Sequence, residues 1–221
     1  MSYYFCDRRL MKKKTAAIIV AHPDDETLWA GGTIMSHPAW DFFVVCLCRK
    51  SDPDRAPKFF KALHILKANG QMGDLDDSPE QTPLNADLLN ETILKLLPDN
   101  YFDLIITHNP FGEYTRHFRH EETGKAVIKL WETGKLLTNE LWIFAYEDCN
   151  KKYPKPVKNT DIYYPLPGII WKKKYSIITE IYGFDKKSFE AMTTPRSESF
   201  RQFNNPSQAI KFIKDETSQE Q

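Results

Sequence analysis

No apolar run in the 221 residues approaches the roughly 20 that a bilayer-spanning helix needs. The N-terminus, M-S-Y-Y-F-C-D-R-R, lacks the apolar core of a secretory leader. These absences set the expectation of a cytoplasmic protein without a membrane span. Excess charge is missing too. Lysine plus arginine count 30 and aspartate plus glutamate count 30, so nothing electrostatic recommends nucleic acid or another polyanion as a partner. Cysteines are few and scattered, at 6, 46, 48 and 149. Cys46 and Cys48 form a C-x-C inside a strand-like run, where both would face one side, and buried free thiols in a reducing compartment are expected. The first strand-to-helix turn has no G-x-G-x-x-G, and its acids would repel a pyrophosphate, which argues against a dinucleotide cofactor. Internal repeats are absent. A monomer and a homo-oligomer are both left open.

What is present is a globular composition, 41% hydrophobic and 13% aromatic. At this length one domain spanning 1–221 is expected, with a polar extension over 1–14 and a frayed tail from about 215. Residues 15–32 organise it: T-A-A-I-I-V-A-H-P-D-D-E-T-L-W-A-G-G. The apolar run 16–21 reads as a buried strand of a parallel sheet. Pro23 ends it, since proline brings no amide proton to a ladder. Residues 27–35 read as a helix with acids ahead of it, where the dipole favours them. His22, Asp24, Asp25 and Glu26 therefore stand where a strand ends and a helix begins. In open α/β sheets that crevice binds ligands.

Three adjacent carboxylates repel one another unless a cation collects them. His22 and Asp25 can share one face of a helical first turn and begin a zinc or similar divalent site. Asp24, between them, is free to take a proton from an activated water. One histidine and one aspartate do not complete a site, and a helix N-cap with surface acids fits the same residues.

Further along, 41–48 reads as the second strand, in a right-handed parallel crossover from the first. Residues 57–69 read as a helix stopped by Gly70, 71–81 as an acidic turn, and 84–97 as an amphipathic helix stopped by Pro98. The buried run 101–108 ends in His108, read as a hydrogen-bonding residue of a pocket wall. His117 and His120 then open a helix towards Trp131. A strand is expected at 140–146 and a proline-rich rim loop at 150–168. Residues 171–182 leave strand and helix open, and 188–221 read as short helices and a polar tail.

A-H-P-D-D-E at the tip of a first strand, followed by a helix with G-G, resembles the PIG-L/LmbE-like zinc-dependent de-N-acetylases. H-x-x-H at His117 and His120 resembles that family's second motif. The resemblance implies an α/β fold, a Rossmann-like three-layer sandwich with a mostly parallel sheet. It implies Zn2+, or another divalent transition metal, held by His22, Asp25 and His120, with His117 as the alternative third ligand. It makes Asp24 the base, His117 the acid or oxyanion partner, and Tyr114 its neighbour. Substrate contacts carry over to Arg55, with Arg49 competing, and to Asp76, with Asp77 close behind. The implied function is an amide hydrolase that releases acetate from a small N-acetylglucosamine-type substrate. There are departures: Lys58 replaces the acid of an R-x-x-E, Thr115 and Arg116 separate Tyr114 from His117, and Phe118-Arg119 replaces P-D. They leave open the alternative of a non-catalytic metal- or sugar-binding protein of the same fold.

Overall fold

The chain runs β1 (Thr15–Val20), α1 (Asp25–Ser36), β2 (Asp41–Cys48), α2 (Arg55–Leu66), β3 (Asn69–Leu75), α3 (Ala86–Leu96), β4 (Tyr101–Thr107) and α4 (Phe118–Glu132). It continues through β5 (Leu137–Phe144), the two-residue strands β6 (Tyr146–Glu147) and β7 (Lys155–Pro156), β8 (Ile162–Pro165), α5 (Gly168–Ser176) with a π turn at Ile177–Ile181, α6 (Phe189–Thr193), β9 (Ser197–Phe203) and α7 (Pro206–Gln219). These elements come from a computed structural model that describes residues 13–113, 117–147 and 155–219.

β1 is central because everything in it after Thr15 is apolar and fully buried. A strand covered on both faces belongs inside a parallel sheet. It pairs in parallel with β2 on one side and β4 on the other, and β3 and β5 extend the parallel block. β9 and β8 add antiparallel at the β5 edge, giving the order β3-β2-β1-β4-β5-β9-β8. Ala16, Ile18 and Val20 face a layer with Trp29 of α1, Phe59 of α2 and Ile177 of the π turn. Ala17 and Ile19 face the opposite layer, with Ile93 of α3, Val127 of α4 and Ala209 of α7. The result is one α/β domain of three layers. After β3 the chain crosses back over β1 to β4, so the sheet's direction of growth reverses between β1 and β4. At such a reversal the carboxyl-end loops diverge and leave a crevice.

Four expectations change. Asn69–Leu75 is an edge strand, so the helix expected to reach 69 stops at Leu66 and the acidic turn expected from 71 begins only after Leu75. Its glycines hide it from a propensity reading, yet they permit it: a Cβ on Gly70 would lie 2.4 Å from the Val44 carbonyl oxygen, and one on Gly73 2.7 Å from that of Leu47. Ser197–Phe203 is a strand within the expected helical region. Its Glu198 is fully buried because Lys174 meets it at 2.6 Å. The rim loop carries β7 and β8, while residues 148–154 lie outside the described ones. The free thiols Cys46 and Cys48 are buried, but a register shift between them sends their side chains to opposite faces. Residues 171–181 are helical, and Tyr182 caps them. No helix of the described residues is long and apolar enough to cross a membrane.

The second glycine of the α1 pair has a packing reason. Glu198 accepts from the amides of Gly32 and Thr33, each at 2.7 Å, and from the Thr33 hydroxyl. A Cβ on Gly32 would lie 2.3 Å from Leu166 Cδ2 and 2.8 Å from Glu198 Oε1. Gly32→Ala is therefore expected to destabilise the fold by about 1–3 kcal/mol, as overpacked cores do, read as a lower urea midpoint. An unchanged midpoint would show that Leu166 and Glu198 can withdraw freely.

Candidate metal centre

The crevice is about 220 Å3 and is lined by residues from the tip of β1, the start of α1, the loops after β2 and β3, and the entry to α4. His22 follows β1, and Asp25 opens α1. Asp25 Oδ2 accepts the His22 amide at 2.8 Å, which ties the two together before any partner arrives. His120 comes from the first turn of α4. His22 Nδ1 lies 3.1 Å from His120 Nε2 and 3.4 Å from Asp25 Oδ2, and His120 Nε2 lies 3.5 Å from Asp25 Oδ2. Ligand atoms on a tetrahedral zinc stand about 3.3 Å apart, given bonds of roughly 2.0–2.1 Å. The triangle thus fits a divalent ion, and its two-imidazole, one-carboxylate donor set suits zinc.

Each imidazole is fixed through its other nitrogen. His22 Nε2 meets Asp77 Oδ1 at 3.0 Å, and Asp77 Oδ2 accepts both Nε and Nη2 of Arg49. His120 Nδ1 meets Glu113 Oε2 at 2.7 Å. Glu113, fully buried at its side chain, also accepts from His108 Nδ1 at 2.9 Å and from the Asn109 amide. The Ala21 amide donates to His108 Nε2 at 3.0 Å. Carboxylates that hold the remote nitrogens of metal-binding histidines set their tautomer and raise their basicity.

The electrostatics follow this arrangement. Burial pulls His22 down, but Asp25 and Asp77 outweigh it and raise it to about 10. Burial favours a protonated Asp25, yet the imidazoles of His120 and His108 hold it well below the usual carboxylate range. Glu113 is likewise brought down to about 2 against its burial, by His108 and His120. His120 is lowered by burial and by His108. For His108, Glu113 and Asp25 outweigh burial and push it up to about 9, while the Ala21 amide aims a proton at Nε2. His108 is thus a wall residue that meets Glu113 through Nδ1 and both the Ala21 amide and Asp25 Oδ2, the latter at 3.3 Å, through Nε2.

Asp24 stands apart. Burial, then Asp25, pushes its carboxyl well above the ordinary range, with Arg55 opposing at 4.0 Å. Its backbone φ of 117° is in the left-handed region, unusual for a non-glycine residue. Glu26 holds it there. Glu26 Oε2 accepts the Asp24 amide at 3.0 Å, while Oε1 takes hydroxyls from Thr27 and Tyr182. Strain maintained by a buried carboxylate is typical of functional turns.

His117 lies at the N-cap of α4, stacked on His120 with ring centroids 4.6 Å apart. Gln81 Oε1 accepts the Phe118 amide, so its Nε2 faces His117 Nε2 at 3.2 Å as donor. His117 Nδ1 then carries the proton and is buried without a partner among the described residues. Burial, His120 and His22 lower His117 to about 4, so it is neutral at pH 7.

Of the residues singled out in the sequence, Asp24, Asp25, His22, His117, His120, Arg49 and Arg55 all line this crevice. Asp76 does not. Its side chain is exposed on the rim and accepts from Ser78, whereas Asp77 reaches the site. Tyr114 lies outside the described residues. Sequence reasoning passed over Glu113 altogether, and E-x-x-x-x-x-x-H, ending at His120, gives no local signal for it. A separate apolar groove of about 290 Å3, between Trp40, Phe42 and Ile169 at the opposite end of the sheet, offers lysines and His37 but no carboxylate.

Glu113→Gln would present an amide N–H to one of two imidazole donors that need an acceptor. Zinc affinity, measured by chelator competition, is expected to fall roughly 10- to 100-fold, the range for outer-shell partners of metal ligands. Unchanged affinity would show that Glu113 does not orient His120.

Known proteins place this geometry in context. The sequence profile described as "PIG-L: GlcNAc-PI de-N-acetylase" matches residues 17–131, just over half the chain, from within β1 to within α4. An uncharacterized protein of Acanthamoeba polyphaga mimivirus is 23% identical over 183 residues, covering 75% of this chain and 77% of that protein. Among solved structures, the N,N'-diacetylchitobiose deacetylase of Pyrococcus horikoshii superposes with TM-score 0.65 at 14% identity, over 87% of this chain and 85% of that one. The zinc-inhibited form of a teicoplanin deacetylase gives TM-score 0.58 at 12% identity, over 77% and 84%. At such identities the structural likeness speaks for the fold.

Proposed function

The chain belongs to the PIG-L (GlcNAc-PI de-N-acetylase) family, and from that premise we propose that it is a metal-dependent amide hydrolase. In this reading it removes the acetyl group from an N-acetylglucosamine-type amino sugar and releases acetate. The observation that carries the proposal is the triangle of His22 Nδ1, Asp25 Oδ2 and His120 Nε2, with edges of 3.1 to 3.5 Å, beside a buried aspartate of raised pKa. The structural neighbours that are deacetylases, one of them in a zinc-inhibited form, support the same reaction class.

His22, Asp25 and His120 would hold the ion, most simply zinc. Bound there, such an ion would polarise an amide carbonyl and lower the pKa of water towards a hydroxide nucleophile. Asp24 accepts the proton of the attacking water, and its raised pKa suits it to return that proton to the departing nitrogen. Arg55, 4.0 Å from Asp24, limits that rise. His117, neutral and with an Nδ1–H that has no partner among the described residues, donates to the carbonyl oxygen as it gains charge. The acetyl C–N bond breaks, and acetate and a free amine leave. Arg49 and Arg55 remain as contacts for sugar oxygens on the rim.

The test is acetate release from a panel of N-acetyl amino sugars with one equivalent of zinc, beside a chelated control. Zinc-dependent release from at least one sugar is expected. Zinc binding without release from any would favour a non-catalytic metal- and sugar-binding protein.

A further inference from the structure

The H-x-x-H segment reads His117-Phe118-Arg119-His120, and Arg119 is a large cation with almost no exposed surface, 1%. It is not spent on solvent or on the metal centre. Its Nε donates to the Asp76 carbonyl at 2.6 Å and its Nη2 to the Thr82 carbonyl at 2.7 Å. Its Nη1 pairs with Glu122, one turn further along α4. Glu122 in turn accepts the Leu84 amide at 2.8 Å through its other oxygen. One side-chain pair on α4 thus grips residues 76–84 at three backbone points.

That segment carries the two side chains that brace the centre from outside. Asp77 lies one residue beyond the first grip and holds His22 Nε2. Gln81 lies one residue before the second and faces His117. Gln81 also has a left-handed φ of 47°, a conformation that a short segment keeps only when its surroundings hold it. The helix that delivers His120 therefore also sets the segment that orients His22 and His117.

We propose that Arg119, with Glu122, is a positioning residue that fixes the 76–84 segment so that Asp77 orients His22 for metal binding. The inference rests on the metal-centre reading above. It assigns a role to a residue that neither touches the ion nor lines the crevice. The segment becomes a fixed wall of the site, since a guanidinium bonded to two carbonyls and a carboxylate has little freedom to let go.

The experiment is a double-mutant cycle on zinc affinity by chelator competition, with wild type, Arg119→Ala, Asp77→Asn and the double variant, alongside amide hydrogen exchange. If Arg119 acts through Asp77, each single change weakens zinc roughly 10- to 100-fold. The double variant is then no weaker than Asp77→Asn alone. Amides of 77–84 should exchange faster in Arg119→Ala while those of β1 and β4 do not. Arg119→Lys, which keeps the charge but loses the fork, should fall between, and it serves if the alanine variant does not fold. Unchanged zinc affinity in the folded Arg119 variants overturns the proposal while leaving the metal centre standing. Fully additive losses overturn it as well, because Arg119 would then act on His120 directly. A wild type that takes up no zinc refutes the metal centre itself, and this role with it.

Discussion

Asp24→Asn should leave zinc in place and abolish most turnover. The loss expected for removing a general base is roughly 10²- to 10⁴-fold in kcat. The substitution is close to isosteric, and asparagine is among the few residues that tolerate positive φ, so the strained turn at 117° can persist. Glu26 still accepts the backbone amide of residue 24, which the side-chain change does not touch. What disappears is a carboxylate able to take a proton beside the triangle. Zinc content by elemental analysis and steady-state acetate release separate the two effects. Near-normal turnover would remove Asp24 from the chemistry.

His120→Ala should act on the other half. It deletes the vertex that lies 3.1 Å from His22 Nδ1 and 3.5 Å from Asp25 Oδ2. The loss of zinc affinity should exceed the roughly 10- to 100-fold expected of outer-shell partners, because a ligand rather than its support is gone. Turnover should fall with occupancy. His117→Ala is the matching control. Its Nε2 is already engaged by Gln81, so it should keep zinc and lose rate instead. If His117→Ala loses the ion while His120→Ala retains it, the two histidines exchange roles.

Much of this was legible in the residues because the signals were local. An apolar run ending in H-P-D-D-E predicts a buried strand with a histidine and acids at its tip, and the structure puts His22 and Asp25 there. The two histidines ahead of Trp131 lie on the expected helix entry. What stayed hidden depends on partners far away in the chain. β3 looks like a turn because Asn69, Gly70 and Gly73 are poor strand formers, and only the close approach of the β2 carbonyls explains the glycines. β9 hides because a buried Glu198 reads as surface until Lys174 is known to meet it. Glu113 reads as a loop acid until His108 and His120 arrive on either side of it. Between Asp76 and Asp77 the sequence offers no distinction, since which carboxylate turns inward is decided by where Arg119 holds the backbone.

The most direct measurement is an anomalous difference map at the zinc edge from zinc-loaded crystals of the full chain. One strong peak is expected per molecule, within bonding distance of His22 Nδ1, Asp25 Oδ2 and His120 Nε2. A peak elsewhere, or none at a zinc concentration that supports acetate release, would contradict the convergence of these three side chains on one ion.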